Sequence, residues 1–174
     1  MDGYRNEALD ALSREDLARL LAVYAKNMLA LDGVWFQSVE RKSGMDAAMF
    51  HDVEAWSRFT VTEARRIKAF LGLPGNSGLD GLEAALKLRF NANINRWQIT
   101  RTAHTLVFRN LECAVQAARK RKGMPLHPCK PAGMAEYAGF AAEIDSRITC
   151  RCLSCFPDAP EDGCGCAWEF TLAE

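Results

Sequence analysis

The sequence lacks several features that would point to a partner. Its 22 basic residues balance its 22 acidic ones, giving a formal net charge of zero over 174 residues. There is therefore no positive surplus to attract nucleic acid or an anionic membrane. No apolar run is long enough to span a bilayer. The first turns carry Asp2, Arg5, Glu7, Asp10, Arg14, Glu15 and Asp16 where a signal peptide would have its apolar core. Low-complexity tracts and internal repeats are missing too. These absences lead to the expectation of a cytoplasmic protein with no nucleic-acid and no membrane partner. The basic cluster Arg119 to Lys122 reads as the solvated end of a helix, where cations suit the dipole. A hydrophobic content of 49% suffices for one compact domain.

Local signals divide that domain into a helical half, residues 1–88, and an α+β half, residues 89–174. Ser13 and Asp16 form a capping box, after which Leu17, Leu20, Leu21, Tyr24, Met28, Leu31 and Trp35 recur at helical spacing. That stripe is expected to face a core. Gly44 is expected to end this helix, a second runs from about Asp46 to Leu71 with Gly72 as its cap, and a third covers about Leu79 to Leu88. From Phe90 the pattern alternates, with a phase slip near Asn95 and Arg96 that suggests a bulge, and residues 90–111 read as a hairpin around "TRTAH". Helices follow over about 114–122 and 132–144. Ile148, Cys150 and Cys152 then lie on one strand, and Trp168, Phe170 and Leu172 on another. The expected fold is α+β, a small antiparallel sheet of about four strands with helices on one face.

Cysteine is abundant, and concentrated. Five of 7 cysteines lie in "CRCLSCFPDAPEDGCGC", residues 150–166. Alternate residues of a strand share a face, so Cys150 and Cys152 project together, as would Cys164 and Cys166. Cys155 stands a CxxC step beyond Cys152, and the strand after its helix can bring Cys129 close. Convergent thiolates select zinc or an iron-sulfur cluster, because soft sulfur binds both and four sulfurs fill a tetrahedron. Disulfides fit a reducing compartment poorly, and Cys150 and Cys152 are too close on a strand to bond each other without strain. Cys113 reads as core, and His127 as a solvated loop residue.

Cys129, the helix "GMAEYAGF", Cys152 and Cys155, and Cys166 opening "CAWEF" together resemble the four-vinyl reductase type domain. The resemblance covers residues 90–174. It implies a zinc ion on Cys129, Cys152, Cys155 and Cys166, with Cys150 and Cys164 as further candidates, and a small apolar ligand held nearby. Cys152 stands where that family has glutamate, and the spacing before Cys166 is longer. The whole chain, with "WFQSVERKSG" and "EARRIK", also resembles an uncharacterised family of bacterial cytosolic proteins related to the L-2-amino-thiazoline-4-carboxylic acid hydrolase-like group.

Under that resemblance Trp35, Phe36, Trp56, Phe59 and Trp97 become candidate pocket lining, although each also suits a plain core. Within "EARRIK", Arg65 or Arg66 would need a carboxylate if it turned inward, from Glu40, Glu54 or a ligand's acid group. Three functions compete. One is a small-molecule-binding or sensory protein with structural zinc and room for a homodimer. Another is a hydrolase of a small carboxylate-bearing molecule, for which no Cys-His spacing marks a nucleophile. The last is an iron-sulfur redox accessory protein.

Overall fold

The computed structural model describes residues 6–158 and 165–173. Cys164 lies outside them.

Helix α1, Arg14–Leu71, opens on the expected capping box: the Ser13 side chain accepts from the Asp16 amide, and the Asp16 carboxylate accepts from the Ser13 amide. Gly44 breaks it, with φ 86° and ψ 171°. Only glycine visits that region without a Cβ clash, so the kink is written at one residue. Gly72 ends the helix. Helix α2, Gly78–Leu86, follows. Strands β1, Arg96–Arg101, and β2, Thr105–Glu112, make the hairpin, and α3, Ala114–Arg121, and α4, Lys130–Ile144, lead to β3, Ile148–Cys155, and β4, Cys166–Leu172. The sheet is antiparallel in the order β1-β2-β4-β3.

Period-two alternation decides which face of the sheet is covered. Leu106 and Phe108 of β2 and Trp168 and Phe170 of β4 are buried against Tyr137, Phe140 and Ile144 of α4. Arg151 and Glu169 pair at 2.7 Å and stand among the more exposed residues of β3 and β4. Gly133 lets α4 lie close on the sheet: a Cβ there would meet Trp168 ring atoms at 2.6 and 2.8 Å. The second half of α1 packs on the other side of α4, where Thr60 donates to the Glu136 carbonyl at 2.8 Å and Lys68 donates to the carbonyls of Glu143 and Ile144 at 2.9 and 2.7 Å.

A buried ion triad joins these layers. The Arg89 guanidinium donates twice to Glu63 of α1, at 2.8 and 2.9 Å, and lies 2.7 Å from Glu136 of α4. Its planar face covers the Phe140 ring at 4.6 Å.

Two expectations are corrected. Phe90–Asn93 is a 3-10 helix, not the start of a strand. The Phe90 amide donates to Glu63 and the Asn93 side chain to the Arg89 carbonyl, so the buried arginine anchors a turn there. The bulge falls between Arg96 and Trp97. The stripe on the first half of α1 does not face the core either. Leu21, Tyr24, Leu31 and Trp35 are 63 to 71% exposed, and the residues that turn inward are Ala25 and Phe36. Two apolar seams run along this helix one residue apart, about 100° around its axis, and the body meets the other one.

Candidate functional site

Between the first half of α1, helix α3 and the start of α4 lies a cavity of about 530 Å³. Phe36, Trp56 and Phe90 give it apolar wall, and Asp32, Asp52, Asn110, His127, Glu136 and two cysteines, Cys129 and Cys166, give it polar groups. A mostly apolar cleft of this size with a few convergent polar side chains is the usual form of a small-molecule site.

Three thiols from three elements meet at its edge. Cys129 is the N-cap residue of α4, Cys155 ends β3, and Cys166 opens β4 directly opposite Cys155 in the ladder. The irregularity between Cys152 and Ser154 creates that pairing, because it shifts the phase of β3 just before its last residue. The sulfurs of Cys129 and Cys155 lie 3.5 Å apart.

Nitrogen donors surround this row. The Asn110 amide and the Trp168 indole each donate to the Cys166 sulfur at 3.3 Å. The Gln116 amide donates to Cys129 at 3.6 Å. Donors of this kind favour a thiolate over a thiol, as does a helix N-terminus. The Cys155 hydrogen bond, helped by His127 and opposed by burial, brings Cys129 down to about 5. Cys166 is lowered by its bonds from Cys155, Asn110 and Trp168, again against burial. Cys155, donating toward both, is raised far above the usual thiol range. The donors thus bias Cys129 and Cys166 toward thiolate and leave the proton of the row on Cys155.

His127 sits at one end of the row. Its ring is edge-on to Phe36 at 4.5 Å, and its Nε2 lies 3.2 Å from the Asp52 carboxylate. Gln116 fixes the loop by donating to the His127 carbonyl and accepting from its amide, at 2.8 and 3.0 Å. Burial works against the imidazolium, but Asp52 and Cys129 outweigh it and lift His127 to about 9. Asp32 is pushed up to about 6 by burial and by Asp52.

The remaining sequence candidates are distributed as follows. Cys152 is half-buried and faces Trp168 across the ladder. Cys150 pairs with Phe170 and is pushed up to about 12 by burial. Cys113 is pushed up to about 11 by the same cause. Trp56 lines the cavity. Trp97 stacks on Phe108 and donates its indole N–H to the Ala92 carbonyl at 3.1 Å. Trp35 is 69% exposed on the outer face of α1. Arg65 pairs with Glu143 at 3.2 Å on the surface. The carboxylate of Glu40 meets Arg119 instead, bidentately at 2.8 and 2.9 Å. His127, which the sequence marks as a solvated loop residue, is only 12% exposed, and nothing in the sequence marks Asp52. Among the described residues, no three ligating side chains surround a common point in metal-holding geometry; the sulfurs form a hydrogen-bonded row.

The family of unknown function DUF6125 matches residues 10–172, so the match takes in the long helix, the cavity and all three thiols. The chain belongs to that family. No curated protein and no solved structure matches it. In this DUF6125 member, no described helix is long and apolar enough to cross a membrane.

Proposed function

We propose that this protein is a small-molecule-binding protein in which Cys129, Cys155 and Cys166 hold a zinc ion beside the cavity. One observation carries the reading: three sulfurs from a helix start and two strands meet in a buried place supplied with N–H donors. Neighbouring sulfurs that their donors bias toward thiolate gather negative charge that a divalent cation neutralises. Zinc at about 2.3 Å from each sulfur separates tetrahedral sulfurs by about 3.8 Å, close to the 3.5 Å contact between Cys129 and Cys155. Its entry would displace the proton on Cys155. The fourth donor comes from a side chain flanking the row: His127, backed by Asp52 in the manner of carboxylate-histidine-metal groups, or Cys152. A closed site of this kind ties the last strands to α4 and is structural. The cavity beside it takes a compact ligand with an aromatic or aliphatic body, packed on Trp56 and Phe90.

Zinc content per chain after anaerobic purification tests this. One equivalent in the wild type, its loss in Cys155→Ser and its retention in Cys150→Ser are expected. A brown protein containing iron would give the site to a cluster instead. A second reading rests on the 3.2 Å contact between His127 and Asp52 beside Cys129. There Cys129 is the nucleophile of a hydrolase for small molecules. Metal-free protein alkylated stoichiometrically by iodoacetamide at Cys129 would favour it.

A further inference from the structure

Among the described residues, most of the outer seam of α1 stays uncovered. Leu17, Leu21, Tyr24, Met28, Leu31 and Trp35 are 36 to 71% exposed. Contiguous apolar surface of this extent is unusual on a soluble monomer unless something covers it. The fold does not need it, since Ala25 and Phe36 on the neighbouring seam already dock this part of α1.

The spacing identifies the kind of partner. The steps between these residues alternate four and three, the a/d spacing of a seam that one further helix can cover, and over this length they average the 3.6 residues of a straight helix turn. The seam runs about 27 Å at 1.5 Å per residue. Arg14 precedes it and Ser38 and Lys42 follow it at the corresponding positions, so polar residues bound it at both ends. Of the flanking positions, Ala18, Leu20, Ala25, Asn27 and Val34 are uncharged, and Asp32 lines the cavity.

We infer that two copies of this chain associate through this seam, antiparallel about a two-fold axis near Lys26. That axis sets Leu17 against Trp35, Leu21 against Leu31 and Tyr24 against Met28, large beside small at the ends. It brings the acidic first turn, Glu15 and Asp16, toward the end of the partner that carries Arg41 and Lys42, and it opposes the helix dipoles. A parallel pairing would instead stack Trp35 on Trp35 and put like charges together at each end. Six large side chains from each copy suffice for the roughly 1,000 Å² that a specific interface requires.

Light scattering during size-exclusion chromatography, with reductant present and protein at about 100 µM, reads the outcome. The expected mass is near twice the chain's 19.4 kDa. Leu21→Lys and Leu31→Glu should each give monomers with unchanged far-UV circular dichroism. The double variant should recover the dimer, because the new charges face each other across the axis. Phe70→Glu, at an 81% exposed position off the seam, should remain dimeric. A monomeric wild type, or a dimer that survives Leu21→Lys, overturns the interface. Single variants that are monomeric beside a double variant that does not recover overturn the antiparallel register.

Discussion

Arg89 is one guanidinium set between two buried carboxylates, and its side chain is 1% exposed. Full ionisation of both partners would leave a net negative charge in the core. Burial, opposed by Arg89 itself and reinforced by Glu63, lifts Glu136 from 4.5 to about 7. In the folded protein Glu136 therefore keeps its proton through a range in which the unfolded chain has lost it. The folded state binds more protons there, so stability falls as pH rises. The contribution is fully present below 4.5 and gone above about 7. A displacement of about 2.5 units at about 1.4 kcal/mol each makes this about 3 to 4 kcal/mol. Glu136→Gln removes the titration while keeping the shape. Urea unfolding of both proteins at pH 5 and pH 8, at fixed ionic strength, should show the variant gaining about 2 to 3 kcal/mol on the wild type over that interval. In Tm this corresponds to roughly 2–4 °C per kcal/mol for a chain of this size. A gap that stays constant, or that moves against the variant at pH 8, would mean that Glu136 is ionised on Arg89 throughout, and the reasoning would be wrong.

Three other substitutions test the packing around the site. Gly133→Ala should cost about 1–3 kcal/mol and alter Trp168 fluorescence, because the added methyl meets the indole ring. Arg119→Met strands Glu40, which is only 16% exposed; a loss of about 2–4 kcal/mol is expected in chemical denaturation, partly recovered by adding Glu40→Gln. Asp145 is held well below the usual carboxylate range, chiefly by Arg147 and also by the Gly78 amide. Its contribution is present above 3.8 and lost as pH falls through the folded value, so Asp145→Asn should be less stable than wild type at pH 7 and approach it in acid.

Elements whose boundaries are set locally could be read from the sequence. The Ser13 and Asp16 cap, the Gly44 break and the alternation of Trp168, Phe170 and Leu172 need no distant residue to explain them, and the α+β class follows from their order. The site was legible in part. Clustered cysteines announced convergence, but which of them meet depends on the irregularity between Cys152 and Ser154, and a single added residue in a ladder leaves no mark in the sequence. His127 looked solvated because Phe36 and Asp52, which bury it, arrive from a helix about 75 to 90 positions earlier. Within "EARRIK" the spacing leaves either Arg65 or Arg66 free to turn inward, yet Glu63 of the same stretch is the one that does, toward Arg89. Period alone told that α1 has an apolar face. It did not tell which of two adjacent seams meets the body.

X-ray absorption at the zinc edge of anaerobically purified protein bears most directly on the thiol row. The expected spectrum has at least three sulfur neighbours at about 2.3 Å around one zinc per chain, with sulfur scattering lost in Cys155→Ser. A wild type without bound metal, whose Cys129, Cys155 and Cys166 all react freely with a thiol reagent, would contradict the zinc assignment.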